Sequence, residues 1–383
     1  MNNKKNNLLN ACQNITENCI GCRQCVDACE FLQEIGEDPI TIAERGPSVE
    51  EAYSCSLCGL CEQVCPVTLS MKNIFYEKRI AAVENREIDL SDYRYLLPDR
   101  NTTPQSLYRE LNNIHYNDLA AEGEVPVLFF PGCTMLTYAD QLVRALYAEL
   151  QLKYEKVAVS MDCCGLPLYQ LGMTERGDTY VSSVKTGFQE HRVKTLIVSC
   201  PNCYYQWRPI LKDMGITLLT IYEALADTNV FRDQHEGNNS AEWITVHDSC
   251  PDRVDGIFAR QTREALLTKG YQLSEMAHSR EMSPCCGSGG HVSHFSRPHL
   301  ADNLRKGRME EACNSKAEKL TAYCLSCVLN FAKESGANGP KVQHVLNLLL
   351  GLDQDFSEVK RQAKEIFEGP EGETNWNRVM SDE

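Results

Sequence analysis

Cys163 and Cys164 stand side by side before Gly165, and Cys285 and Cys286 stand side by side before Gly287. Each doublet follows a lone cysteine, Cys133 or Cys250, and precedes a Cys-x-x-Cys pair, Cys200/Cys203 or Cys324/Cys327. Thiolates in such numbers select soft metals and metal-sulfur clusters. A regular cubane takes four protein ligands, one per iron, so in each set of five one thiolate must bridge irons, stay free or act chemically. Neighbouring side chains diverge in extended backbone, so placing both thiols of a doublet on one centre demands a tight turn. The glycine that follows can supply the positive φ of that turn. Buried core cysteine is the competing reading of a single doublet. Two doublets in matching contexts leave it little room.

Nearer the N-terminus, Cys19, Cys22, Cys25 and Cys29 follow the spacing C-x2-C-x2-C-x3-C, and Cys55, Cys58, Cys61 and Cys65 repeat it, with Pro66 after the last. That spacing gives three thiolates to one cubane and lends the fourth to the other. The expected sets are therefore Cys19, Cys22, Cys25 and Cys65, and Cys55, Cys58, Cys61 and Cys29. Zinc also takes four thiolates from Cys-x2-Cys pairs. The same four-part spacing occurring twice favours iron-sulfur clusters. Neither cubane has an open ligand position, which suits both to electron relay. Glu30 follows Cys29 where the bacterial pattern has proline. Cys12, ahead of the first motif, and Cys313, within a predicted helix, are read as non-ligands.

The elements that position these thiols fall into blocks. Residues 12 to 65 hold nine cysteines, the stretch from 66 to about 124 holds none, and the other eleven lie between Cys133 and Cys327. The cysteine-free stretch begins with helical spacing around Ile74, Phe75, Ile80 and Val83, then becomes a polar linker with Pro98, Pro104 and Gly123. From Val125 strand and helix alternate. Val125 to Phe130, Lys156 to Ser160 and Thr195 to Ser199 read as strands, and Leu136 to Leu152 and Asn202 to Met214 as helices. After a polar break at Asp233 to Ser240 the order recurs, with strands at Trp243 to His247, Gln272 to Ala277 and Lys319 to Tyr323. The expected fold is α/β: a helix-rich double-cluster ferredoxin domain over 1–95, a linker over 96–124, two pseudo-symmetric α/β domains over 125–238 and 239–352, and an acidic tail over 353–383. Each cysteine group follows a strand, so distant thiolates can converge at one rim of a sheet.

The totals bound the function. The chain of 383 residues, 43% apolar and 24% charged, reads as globular. Twenty cysteines without an export signal point to a reducing, cytoplasmic compartment with thiolates kept as ligands. The longest apolar runs, Val125 to Pro131 and Val345 to Leu352, fall short of the roughly 18 residues of a spanning helix. A formal charge of -15 argues against a nucleic-acid ligand.

The order lone cysteine, Cys-Cys-Gly, Cys-x-x-Cys resembles the cysteine-rich CCG domain, and two of these behind a double ferredoxin resemble the catalytic iron-sulfur subunit of heterodisulfide reductase. The resemblance covers about residues 12 to 350 and fits the D subunit or a fusion of the C and B subunits. It implies two cubane 4Fe-4S clusters and two noncubane 4Fe-4S clusters, each noncubane cluster held by one five-cysteine set, with a disulfide cleaved between them by successive one-electron reductions. Relatives with degenerate CCG sites, such as the glycolate oxidase and glycerol-3-phosphate dehydrogenase iron-sulfur subunits, serve as electron relays. A non-catalytic relay in a larger dehydrogenase complex is thus the alternative function.

Disulfide cleavage needs protons, which draws attention to His247, His291 and His294 as candidate catalytic residues. A structural histidine bonded to backbone or cluster sulfur is the competing role. Asp248 and Asp252 could cap a helix after Cys250, and Arg253 could bind an anionic substrate or a cluster edge. Gly287-Ser288-Gly289-Gly290 lacks the dinucleotide-binding spacing, so a flavoprotein or cytochrome partner is expected to supply electrons. Such a partner could also hold the protein at a membrane.

Overall fold

The computed structural model describes residues 2–231, 242–334 and 339–381, so the polar break expected at Asp233 to Ser240 and the boundary placed at 238/239 lie outside the described residues. The N-terminal region is built of helices, among them Asn2–Asn18, Pro39–Arg45, Val49–Ser54 and Met71–Glu84. Their starts are encoded locally. Asp38 accepts from the amides of Ile40 and Thr41 ahead of Pro39, and Ser48 with Glu51 forms a capping box. Ile15, Leu32, Ile42, Ile74 and Phe75 make the core beneath, with Phe31 edge-on to Phe75. Cys12 is buried in this core, while Cys313 is exposed on the helix Pro298–Asn314.

Two parallel four-stranded sheets follow. β1 (Val127–Phe130), β2 (Val157–Val159), β3 (Thr195–Val198) and β4 (Thr217–Thr220) are ordered β2-β1-β3-β4, and β5 (Trp243–His247), β6 (Gln272–Leu273), β7 (Lys319–Ala322) and β8 (Lys341–His344) are ordered β6-β5-β7-β8. The central strands are continuous apolar runs, such as Leu128 to Phe130 and Leu196 to Val198, because helices cover both faces of a parallel sheet. The edge strands β4 and β8 escape the sequence reading, since they mix threonine, lysine and glutamine with aliphatics and are exposed at their first residues. The expected strand to Ala277 ends at Leu273, where the chain leaves the sheet and buries Met276. The expected helix from Leu136 to Leu152 is broken at Ala139 into Cys133–Tyr138 and Asp140–Lys153.

The stretch read as linker carries the helix Pro104–Leu111, started by Thr103 and Pro104. The stretch read as a tail holds Phe356–Glu368 and Gly372–Met380, which bury Phe356 and Val379. Arg100 donates to the carbonyls of Val379 and Ser381, and Arg94 to that of Met380. Among the described residues no helix is long and apolar enough to cross a membrane.

Buried polar contacts tie the N-terminal region to the sheets. Tyr53 Oη donates to Leu171 O at 2.7 Å, and its ring lies 4.8 Å beneath the Arg79 guanidinium. Tyr53→Phe keeps the ring and orphans one carbonyl, so denaturant unfolding of the iron-loaded protein is expected to show a loss of about 1 to 2 kcal/mol. An unchanged midpoint would show that this bond contributes nothing at the junction.

Candidate functional site

β1, β3, β5 and β7 lead to Cys133, Cys200, Cys250 and Cys324, at the carboxyl ends where open parallel sheets collect ligands. Cys200 caps the helix Pro201–Met214, whose first turn carries Cys203, and Cys324 caps Leu325–Phe331, which carries Cys327. The doublets follow the edge strands β2 and β6. Gly165 (φ 77°) and Gly287 (φ 88°) supply the expected left-handed turn after each.

The ten thiols form a connected array. In the first set Cys133 and Cys163 lie 3.8 Å apart, Cys164 contacts Cys163 and Cys203, and Cys203 contacts Cys200. In the second, Cys285 contacts Cys250 and Cys286, and Cys327 contacts Cys286 and Cys324. The sets meet where Cys200 contacts Cys324, and Asn202 Nδ2 lies 3.9 Å from Cys324 Sγ.

The ferredoxin thiols fall into two neighbouring groups. Cys19, Cys22, Cys25 and Cys65 line one small pocket with Ile15, Val67 and Leu69, and Cys22 is exposed. Cys29 is an electrostatic neighbour of Cys58, Cys55 and Cys61. Cys25 is a neighbour of Cys61, and Cys58 of Cys250. The four thiol groups therefore run in series from an exposed edge to the paired sets. Backbone amides support them: Leu57 N, Leu69 N and Gly287 N point at Cys55, Cys65 and Cys285 sulfurs at 3.3 to 3.4 Å.

Nine of the ten paired-set thiols, all but Cys285, line one cavity of about 950 Å³ together with Cys58 and Cys65. His291 and His294 line it as well, and His247 does not. His294 Nδ1 is 3.2 Å from Tyr95 Oη, and burial, then Lys333 and Lys360, lower its pKa to about 4. His291 takes φ 59°, its Nε2 is buried without a partner, and burial, then His294, lower its pKa to about 3. His247 lies behind the thiols. Its Nδ1 accepts from Arg308 Nε at 3.3 Å, so Nε2 carries the proton of the neutral ring, and burial, then Arg308, lower the pKa to about 3. A nitrogen of this ring and the sulfurs of Cys286 and Cys327 lie within 4.8 Å of one another.

Asp252 accepts from the amides of Phe258 and Ala259 and so caps the helix Ile257–Thr268, as expected of a carboxylate after Cys250. Asp248 instead forms a buried bidentate pair with Arg263 at 2.7 and 2.9 Å. Arg253, expected to meet a substrate or cluster edge, spends its donors on the carbonyls of Cys58, Glu281 and Ser283. It joins the ferredoxin motif to the second set. The sequence reading missed Arg79, Arg109, Tyr180, Tyr323 and His344. Tyr180 Oη accepts from Cys163 N and Tyr323 Oη from Ser249 N, each at 3.0 Å, while His344 is a buried neighbour of Cys324. Their spacing carries no motif.

The donor sets fit iron-sulfur clusters: four thiols around one pocket, four in mutual reach beside it, and ten in two connected sets at strand ends. Comparison with known proteins agrees. Residues 15–69 match the 4Fe-4S dicluster domain, and residues 127–208 and 244–332 match the cysteine-rich domain twice. The chain is 26% identical over 366 residues to the B subunit of fumarate reductase (CoM/CoB) of Methanothermobacter marburgensis, covering 89% of this chain and 72% of that one. It is 23% identical over 326 residues to the D subunit of dihydromethanophenazine:CoB--CoM heterodisulfide reductase of Methanosarcina barkeri, covering 78% and 76%. With a probable iron-sulfur-binding oxidoreductase, FadF, of Bacillus subtilis the identity is 24% over 343 residues, covering 81% and 48%. A helix-rich dicluster region followed by two parallel-sheet cysteine-rich domains, with these relatives, makes the chain an iron-sulfur, oxidoreductase-like protein related to the D subunit of heterodisulfide reductase.

Proposed function

We propose that this chain is the disulfide-reducing subunit of an oxidoreductase complex, with two cubane clusters at the eight ferredoxin cysteines and two noncubane clusters at the ten paired-set cysteines, related by a pseudo-two-fold. The observation that carries the reading is the serial arrangement of thiols: the exposed set with Cys22, then the set with Cys58, then Cys250, then the two sets joined at Cys200 and Cys324 around one cavity. Iron-sulfur clusters at these sites supply electrons one at a time. Their source is a flavoprotein or cytochrome subunit that meets the exposed end, and the thiol-rich composition supports a reducing, cytoplasmic setting, with any membrane contact made through that partner.

In the cavity a disulfide takes two electrons and two protons; its S-S bond breaks and each sulfur leaves as a thiol. His291 and His294 face that space and are held neutral, which suits them to pass protons from water to sulfur and not to store them. His247 is kept from substrate, and its Nε2-H is available as a donor to sulfur at Cys286 and Cys327.

Electron paramagnetic resonance of the iron-loaded protein, with and without added thiol, tests the proposal. The expected result is a new signal that depends on thiol, and its loss in Cys163→Ser and Cys285→Ser. A spectrum indifferent to every thiol and disulfide tried would assign the chain instead to electron relay within a larger dehydrogenase.

A further inference from the structure

We infer that His247 and Ser249 set the second five-thiol set at a higher reduction potential than the first, so that the first electron to leave the ferredoxin relay is held there; the assignment rests on the clusters proposed above. Both sets lie at the carboxyl ends of sheets with matching strand order, β2-β1-β3-β4 and β6-β5-β7-β8, and each opens with a lone cysteine after the second-placed strand. Their thiols correspond one for one. The polar side chains around them do not.

His247 stands three residues before Cys250 and Ser249 one before it, whereas the same places before Cys133 hold Phe130 and Gly132. The His247 ring is buried, its Nδ1 accepts from Arg308, and the Nε2 that carries the proton has no partner. A nitrogen of this ring and the sulfurs of Cys286 and Cys327 lie within 4.8 Å of one another. An orphaned donor buried beside two sulfurs is the group that cluster sulfur would satisfy. Ser249 is buried too, with Oγ 3.7 Å from Cys327 Sγ; when that sulfur is a thiolate, the hydroxyl is the donor. Phe130 has no donor and packs edge-on against Trp207, and a Cβ at Gly132 would already stand 3.3 Å from Cys203 Sγ. Asn202 adds to the imbalance, since its Nδ2 crosses from the first set's Cys-x-x-Cys helix to Cys324 Sγ at 3.9 Å, while its counterpart Ser326 meets Thr134 Oγ1. Thr134 in turn gives the first set a hydroxyl at Cys133. Charge points the same way as the donors: Arg109 neighbours Cys133, but both Arg308 and Lys333 neighbour Cys286.

Hydrogen bonds to cluster sulfurs raise a reduction potential, because reduction adds negative charge that the donors stabilise. Cys58 is a neighbour of Cys250, so the set with more donors is also the one that the relay reaches first. One electron leaves the relay and its charge settles on the second set, with no bond made or broken. The first set, joined to it at Cys200 and Cys324, fills only with the next electron. The competing role is structural: a ring that holds Arg308 and a hydroxyl that fills space would leave both sets at one potential.

An anaerobic titration of the iron-loaded full chain with titanium(III) citrate, followed by electron paramagnetic resonance, reads both potentials without any substrate. The paired sets are expected to fill in two one-electron steps, the upper favoured by about tenfold or more, which is about 59 mV for one electron. Loss of the upper step in Cys285→Ser and of the lower in Cys163→Ser assigns them. His247→Phe and Ser249→Ala are each expected to lower the upper step and leave the lower one in place, and Ser249→Thr, which keeps the hydroxyl, to restore it. With nitrogen-15-labelled histidine, the signal of the upper step should carry a nitrogen coupling that His247→Phe removes. Equal potentials, an upper step that belongs to the first set, or an upper step that neither variant moves overturns the inference. If His247→Phe fails to assemble, Ser249→Ala and the nitrogen coupling decide. Iron content that neither Cys163→Ser nor Cys285→Ser changes would disprove clusters at the paired sets, and the proposed function falls with this inference; two steps at one potential sink this inference alone.

Discussion

Arg79→Met is expected to lower the unfolding free energy of the iron-loaded protein by about 3 to 5 kcal/mol. Arg79 is 0% exposed, and its guanidinium holds carbonyls from three parts of the molecule. Nε donates to Ala52 O at 2.8 Å, Nη2 to Cys55 O at 2.6 Å, and Nη1 to Gln170 O at 2.6 Å and Gly290 O at 2.9 Å. One side chain thus ties the second ferredoxin motif to the turns that follow both cysteine doublets.

Replacing a buried ion pair by apolar groups is often neutral, because both charges leave together. Here the substitution removes only the donor. Four buried carbonyls remain, each losing a charge-assisted bond. Burial lowers the pKa of Arg79 to about 10, so the group remains charged at neutral pH, with Cys55, Tyr53 and Tyr76 beside it and no carboxylate among these neighbours. Arg79→Lys retains charge but cannot span four acceptors from one point, and should lose about half as much. Chemical denaturation under anaerobic conditions reads both variants. Hydrogen exchange should locate the damage at both ends of the staple, around Gln170 and Gly290. Wild-type stability in Arg79→Met would mean that the three regions are joined by their apolar contacts alone.

The thiol sets were legible because their geometry is local. A Cys-x-x-Cys pair at a helix start spans one turn, and Gly165 and Gly287 announce the left-handed turns they adopt. The strands were partly legible, since buried central strands are written as apolar runs, whereas β4 and β8 lie at edges and mix polar with apolar residues. Arg79 was not. Its partners lie 91 and 211 residues away at Gln170 and Gly290, and an arginine inside an amphipathic helix carries no local mark of being a junction. Arg253 drew attention by its place soon after Cys250, yet three of its five N–H donors go to carbonyls, while Arg109 in an apparent linker also reaches the cavity. Spacing reveals which residues can ligate a metal. It does not reveal which arginine the fold has already satisfied.

The two doublet glycines should respond unequally to the same substitution, although sequence makes them equivalent. Both have positive φ, so Gly165→Ala and Gly287→Ala each incur a strain of about 1 to 2 kcal/mol. Their surroundings differ. A Cβ at Gly165 would stand 2.9 Å from Val181 Cγ2 and 3.2 Å from Tyr180 Cδ1, side-chain atoms that can give way. At Gly287 it would stand 2.2 Å from Ala301 O, a backbone atom fixed in the helix Pro298–Asn314, and 3.1 Å from Asn330 Nδ2. Asn330 donates to Cys286 O at 2.6 Å, and Gly287 N points at Cys285 Sγ. The clash therefore displaces the second doublet itself. Gly287→Ala is expected to lose about 3 to 5 kcal/mol and to assemble with less iron and sulfide, while Gly165→Ala loses about 1 to 2 kcal/mol and retains full iron content. Equal losses would show that φ strain alone sets the cost; full iron content in Gly287→Ala would show that the second set tolerates movement of its turn.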